Sequence, residues 1–193
     1  MRVVPTLNDE DVLPALVSPE TLVADSAGGL QMSDPRLKAT TLAASTAVRR
    51  YCRWHVAPII EETIITKGTG GPRLRLKSQR VIEVSEVKIR GQVIDPSLYD
   101  FDEDGWLELY GPRSLVFPKR YRSVEVTFQH GYEEAPDLSA IASQVARFAL
   151  ASPMGRTREQ AGQIAVSWGT AQGMAWSESM LEMMKPYRLQ MMP

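Results

Sequence analysis

The 193-residue chain has a single cysteine, only two histidines, almost no net charge and no long apolar run. With Cys52 alone, no disulfide can close within the chain, and a metal site built on several thiolates is excluded. A reducing compartment fits this usage. The balance of 22 basic against 23 acidic residues removes any global attraction to nucleic acid or to an anionic membrane. No stretch approaches the roughly 20 apolar residues that a bilayer span requires. The N-terminal MRVVPTLNDEDVLP places acids and prolines where a secretory signal needs a continuous apolar segment. The expectation is a soluble chain that no signal peptide exports and that has no membrane partner.

What is present is a globular composition, 44% hydrophobic and 23% charged, in a chain long enough to bury a core. Charge is uneven along it: Asp9, Glu10, Asp11, Glu20, Asp25 and Asp34 face a single Arg2 in the first 34 residues, whereas Arg73, Arg75, Lys77 and Arg80 crowd a short span.

The first 32 residues mix short apolar pieces with Pro, Asp, Ser and Gly and leave room for one short helix at most. In SDPRLKATTLAASTAVRRYCRWHVAP, Ser33 or Asp34 can cap a helix with Pro35 in its first turn. Leu37, Thr41, Ala44, Val48, Tyr51 and His55 then share one face, Arg49, Arg50 and Arg53 fall mostly off it, and Pro58 stops the helix. From Ile59 to Tyr132 the period drops to two. IEETIIT, RLRLK, VIEVSEVKI, SLYDF, WLELY and VEVTFQ read as six or so short strands, with Gly91 making a tight turn in KIRGQVID. Helical spacing returns from Asp137 to about Ser152, with Leu138, Ile141, Val145, Phe148 and Ala149 as its buried stripe. TREQAGQ reads as an exposed loop, IAVSW as a short strand and GTAQGMA as a turn. A last helix is expected at SESMLEMMKPYRL, capped by Ser177 and ended or kinked by Pro186.

These elements predict an α+β fold: a small helical core of two main helices plus a C-terminal helix, with an inserted β-rich meander or hairpin region. The expected organisation is an acidic, mostly irregular segment over 1–34, a helical core over 35–58 and 133–176 that includes the short strand, the β insert over 59–132, and a C-terminal docking helix and tail over 177–193.

Four features bear on chemistry. In DFDEDGW, Asp100, Asp102, Asp104 and Gly105 match the first half of a calcium loop, but position twelve is Gly111 and the flanks alternate as strands. The stretch therefore reads as a hairpin tip turning at Asp104-Gly105, with the three aspartates on one edge. TKGTGGP does not meet the G-x-x-x-x-G-K-[ST] pattern of a phosphate loop, whose glycines open a helix, and leads instead into Pro72 and a strand. His55 and His130 have no local nucleophile or metal-ligand spacing; a structural role stands against an enzyme in which both meet carboxylates in one pocket, and Cys52 and His55 lie three apart on the predicted helix. In RLRLK, Arg73, Arg75 and Lys77 form a cationic ridge over Leu74 and Leu76. It can be solvated, pair with an acidic neighbouring subunit or, with Lys119, Arg120 and Arg122, meet phosphates.

The tail is rich in methionine. Met174, Met180, Met183, Met184, Met191 and Met192 lie in the last 20 residues, and Met180, Met183, Met184 and Tyr187 share a stripe that can dock on a partner or pack on its own domain. No catalytic set, metal site or cofactor motif is read, and the chain is not expected to be an enzyme.

The phrases RRYCRWHVAP, YDFDEDGWLELY, HGYEEAP before the second main helix and EQAGQIAVSW, over Pro35 to the C-terminus, resemble the head-to-tail adaptor (connector) proteins of long-tailed bacteriophages, especially those infecting Actinobacteria. The resemblance implies a virion structural protein of the neck, present in the host cytoplasm during assembly. It implies a ring, commonly of twelve copies, beneath the portal, connecting the DNA-filled capsid to a downstream head-closure, stopper or tail protein. DNA would pass through its channel without sequence-specific binding. Carried over by position, Met180, Leu181, Met183, Met184, Tyr187 and Leu189 would face the portal. Arg73, Arg75, Lys77, Asp100, Asp102 and Asp104 would contact a neighbouring subunit or the channel. The alternative reading is a DNA-binding module using the basic strands around 73–80 and 119–122.

Overall fold

A computed structural model of the chain describes residues 6–7, 13–26, 28–151, 158–161, 164–167 and 176–190; for 6–7, 158–161 and 164–167 it describes the backbone alone. The turn expected at GTAQGMA and the residues Met174, Met191 and Met192 lie outside that set. The fold is α+β, and the chain divides into two compact units.

The helical unit comprises Pro14–Arg53 and Ala135–Arg188. Its elements are α1 (Pro19–Ala24), α2 (Leu37–Cys52), α3 (Pro136–Ala151) and α4 (Glu178–Met184), with strands β9 (Arg158–Ala161) and β10 (Ile164–Ser167) paired antiparallel. The segment expected as the loop TREQAGQ thus supplies a strand, because β10 offers it a ladder partner. The Asp34 carboxylate accepts the Arg36 N–H at 2.9 Å just ahead of α2, but the helix starts at Leu37 with Arg36 at its N-cap and no side-chain cap bond, so neither Ser33 nor Asp34 caps it as expected. The helix stops sooner than Pro58 demands: Arg53 turns left-handed at φ 70°, and Trp54, His55, Val56 and Ala57 bury in the other unit, so packing overrides helical spacing. Cys52 and His55 accordingly do not share a helix.

α2 and α3 pack through small side chains, Ala44 and Ser45 on one and Ala142, Ser143 and Ala146 on the other, all buried. That close approach centres the α3 stripe on Ala142 and Ala146. Phe148, expected inside, is 66% exposed, and Ala149 is exposed too. Arg49, expected off the buried face of α2, is buried, and loss of solvent pulls its pKa down to about 10. Leu16 fastens the N-terminal segment to both helices: its N–H donates to the Ser45 hydroxyl at 2.9 Å and its carbonyl accepts from Ser139 at 2.7 Å.

The β unit comprises Met1–Leu13, which supplies β1 (Thr6–Leu7), Trp54–Glu134 and Leu189–Pro193. Its five-stranded sheet has the order β1, β2 (Ile60–Thr66), β8 (Val124–His130), β4 (Val81–Ile89), β5 (Gln92–Val93). Its three-stranded sheet has the order β3 (Arg73–Arg75), β7 (Trp106–Leu109), β6 (Tyr99–Phe101). The expected strand segments are strands, but their order is not that of a simple meander, since β8 returns to lie between β2 and β4. Arg90 and Gly91, both at positive φ, make the tight turn between β4 and β5.

β4 shows how sequence pattern and sheet geometry are reconciled. Its buried residues, Val81, Val84, Val87 and Ile89, begin at spacings of three, which a flat strand would put on opposite faces. Bulges at Val81/Glu83 and Val84/Glu86 absorb the extra residues and return each valine to the inner face. There it meets Phe128, Val126 and Val124 of β8 and, from the other sheet, Leu74, Leu107 and Leu109. Phe117 and Phe128 are fully buried in this cluster, worth about 2–3 kcal/mol each by area.

Candidate functional site

Two of the three cations of the basic ridge, Arg73 and Arg75, are already partnered. Leu74 and Leu76 are buried beneath it as expected. Register sets Arg73 opposite Glu108, and the two form an ion pair at 3.0 Å. Arg75 lies opposite Trp106 with its guanidinium 5.3 Å from the ring centroid. Arg80 pairs with Glu103. Lys77 is exposed and follows the strand instead of continuing it.

The DFDEDGW stretch is a hairpin tip, with a turn one residue longer than expected. Gly105 N–H donates to Asp102 O at 3.0 Å, and Asp102 N–H to Trp106 O at 2.9 Å, so the loop is Glu103-Asp104-Gly105 and positive φ falls on Gly105 alone. The Asp102 carboxylate accepts the Trp106 N–H and that of Asp100 the Phe101 N–H, each at 2.9 Å. Two further backbone bonds fasten the tip to residues 76–81: Leu76 N–H to Gly105 O and Val81 N–H to Glu103 O, both 2.8 Å. Asp100, Asp102 and Asp104 remain exposed. Among the described residues, no group of three or more His, Cys, Asp or Glu is placed to hold a metal ion.

The glycine cluster of TKGTGGP is a chain crossing. Gly68 N–H donates to Pro118 O at 2.9 Å, Gly70 N–H to Phe117 O at 2.7 Å, and Phe117 N–H to Gly71 O at 2.9 Å. A Cβ on Gly68 would lie 2.3 Å from the Phe117 carbonyl carbon, so no side chain fits. The crossing supports a turn of four exposed residues, Lys119, Arg120, Tyr121 and Arg122. The buried Ser123 hydroxyl pins it from below, 2.7 Å from Arg120 O and 3.1 Å from Pro118 O.

Sequence reasoning did not anticipate that His55 and His130 meet. Their rings are 4.3 Å apart, edge to face, within an aromatic cluster of Trp54, Phe128 and Tyr132. His55 Nε2–H donates to Pro58 O at 2.8 Å. His130 Nε2–H donates to the Glu62 carboxylate at 3.1 Å, which holds the Glu62 carboxyl below its ordinary range, helped by charge on His130 and His55. Both rings are buried, at 8% and 1% exposed. The group ties the start of β2 to the end of β8, where Ile60 lies opposite His130. Cys52 is buried, and burial raises its thiol pKa to about 12, which leaves it inert as a nucleophile.

With this geometry the chain can be compared with known structures. It aligns over 95% of its length, and 96% of theirs, with chains from the neck of an empty GTA particle computed with C6 symmetry (TM-score 0.60, 13% identity) and the neck of a native GTA particle computed with C12 symmetry (0.58, 16%). A chain from the virion of a native gene transfer agent particle aligns over 96% of both (0.61, 14%). The chain shares the fold of these particle chains. No protein-family model and no curated protein matches it.

In the tail, α4 is capped by Ser177 and ends at Met184, and Pro186 sits in the 3-10 turn Lys185–Tyr187 that follows. The methionine stripe turns inward in part: Met180 and Met184 are buried, Met183 is 44% exposed, and Leu181, Tyr187 and Leu189 are half-buried. The Arg188 guanidinium lies 5.1 Å from the Tyr51 ring, which ties the tail to α2. An open hollow of about 760 Å³ in the helical unit has Asp25, Asp34, Arg36 and Arg147 among its lining residues, with Arg36 paired to Asp34. Among the described residues, no helix is long and apolar enough to cross a membrane.

Proposed function

We propose that this chain is a structural, non-catalytic component of the neck of a phage-like particle: a head-to-tail adaptor that forms a ring under the portal. The observation that carries the reading is the whole-chain likeness of fold to chains from two GTA necks. Their C6 and C12 symmetries support a ring and agree with twelve copies. The sequence phrases that resemble phage adaptors point the same way independently; the narrower resemblance to phages of Actinobacteria rests on those phrases alone.

In this reading the ring joins the capsid to a downstream stopper or tail protein in the virion, and DNA passes through it without being gripped. The portal-facing surface is narrowed in this reading to the less buried tail residues Leu181, Met183, Tyr187 and Leu189, with Met180 and Met184 holding α4 in place. Asp100, Asp102 and Asp104 face a neighbouring copy. A DNA-binding module on 73–80 and 119–122 is less well supported, because Arg73, Arg75 and Arg80 have internal partners.

The test is to mix the protein with the portal encoded in the same genome and image the product by electron microscopy. A stoichiometric ring on the portal is expected, and its absence removes the adaptor assignment. Deleting residues 177–193 should abolish portal binding; retained binding would move the portal contact elsewhere.

A further inference from the structure

The β unit is electrically polarised along its strands. At one end Thr66 of β2, Ile89 of β4 and Val124 of β8 lie side by side. Just beyond them come Lys67, Arg90 and the turn Lys119, Arg120 and Arg122, five exposed cations, none in an ion pair among the described residues. Tyr121 stands 81% exposed among them, with the Lys67 ammonium 5.6 Å from its ring. Arg90 N–H donates to Ser123 O at 2.8 Å, so the two loops are fastened together.

At the other end Ile60, Val81 and His130 lie side by side, and the hairpin tip is bonded to the chain there through Val81. Asp100, Asp102 and Asp104 are exposed on that tip and are likewise in no ion pair. The two ends are separated by the length of β8, seven residues, or about 20 Å at the usual rise per strand residue. That is beyond the Debye length of about 8 Å at physiological ionic strength, so the ends cannot neutralise each other within one chain.

We infer that the acidic hairpin tip of one copy seats on the basic turn of a second copy, head to tail. The inference rests on the ring reading and specifies its contact. It also replaces the cations expected from sequence for that role, Arg73, Arg75 and Lys77, since Arg73 and Arg75 are occupied and Lys77 is exposed beside the acidic tip itself, while Lys67, Arg90, Lys119, Arg120 and Arg122 are available at the other end. A second copy is favoured over DNA because it gives both ends a partner, whereas a polyanion on the turn leaves the acids facing solvent. Unlike patches on one protein make a heterologous contact, which closes into a ring when the rotation allows. Both surfaces are held in place by backbone bonds before contact, so little ordering entropy opposes docking.

Charge exchange tests it. One variant carries Lys119→Glu and Arg120→Glu, the other Asp100→Lys and Asp104→Lys; none of these side chains is buried or bonded across the core. Sedimentation velocity at low salt, alone and on the portal, should show the wild type associating and 0.5 M salt weakening it. Each variant alone should associate at least tenfold more weakly. In a 1:1 mixture, tip meets turn with opposite sign at every contact of an alternating assembly, so association should return. Variants that associate like the wild type, a mixture that does not recover, or a wild type monomeric in both settings overturns the inference. So does a wild type that binds duplex DNA through the turn while its self-association ignores the reversals. Variants that still build wild-type rings on the portal sink the contact and leave the adaptor reading standing, whereas a wild type that associates by charge yet ignores the portal does the reverse.

Discussion

Residues 73–80 and residues 119–122 are both short, basic and exposed, and on a charge plot they are alike. In the fold they differ in what lies opposite. Arg73 sits across a ladder from Glu108, Arg75 from Trp106, and Arg80 meets the hairpin tip. The 119–122 turn projects past the ends of the strands, where no ladder partner exists, and gathers Lys67 and Arg90 from two other strand ends. A run of one sign is therefore open to a partner only when register leaves it without counter-charges.

The largest effect on this contrast should come from Gly68→Ala. Backbone must shift where the new methyl meets Phe117, so a loss of about 3 kcal/mol is expected in denaturant unfolding, with disruption of the basic turn above it. Gly105→Ala should cost about 2 kcal/mol by the same measurement, because φ of 92° strains a side chain and its Cβ would come within 2.6 Å of Ser78 O. That variant perturbs the acidic end and should leave amide exchange at 118–123 unchanged.

Ser123→Ala removes the buried hydroxyl under the turn. A loss of about 1–2 kcal/mol is expected, with faster amide exchange confined to the turn. Glu62→Gln weakens the bond to His130 and should cost about 1 kcal/mol at neutral pH. Because the folded protein holds this carboxyl below its ordinary 4.5, the stabilisation is complete above that pH and is lost as pH falls through the lowered value. The gap between wild type and variant should therefore shrink in acid; a constant gap would show that the bond does not set the Glu62 titration. The smallest effect should be at Arg73. A double-mutant cycle with Glu108 is expected to give a coupling of about 0.5 kcal/mol, as exposed pairs do, and a value near 2 kcal/mol would contradict the exposed geometry.

Much of the fold was legible because local chemistry and tertiary context agree. Alternation located β8, β-branched runs located β2 and β4, and Ser177 capped α4 where a cap was expected. Context overrode the local signal elsewhere. Buried Trp54 and His55 ended α2 early, small residues on α2 and α3 rotated the buried stripe away from Phe148, and the bulges in β4 cannot be read without its partner β8. The candidate surface was half legible: PKRYR announced the turn, but Lys67 and Arg90 join it only through sheet register, over distances no pattern spans. The His55–His130 contact was invisible for the same reason, being set by the pairing of β2 with β8.

The Trp54–Glu134 stretch of the β unit begins and ends in the same place, for Tyr132 N–H donates to Val56 O at 2.8 Å. A stretch whose ends already touch joins the flanking chain at two adjacent points. Loops and hairpins inside it can lengthen or shorten without moving those points, and closure entropy changes only slowly with loop length. The stretch is thus free to change piece by piece while its two points of attachment stay as they are.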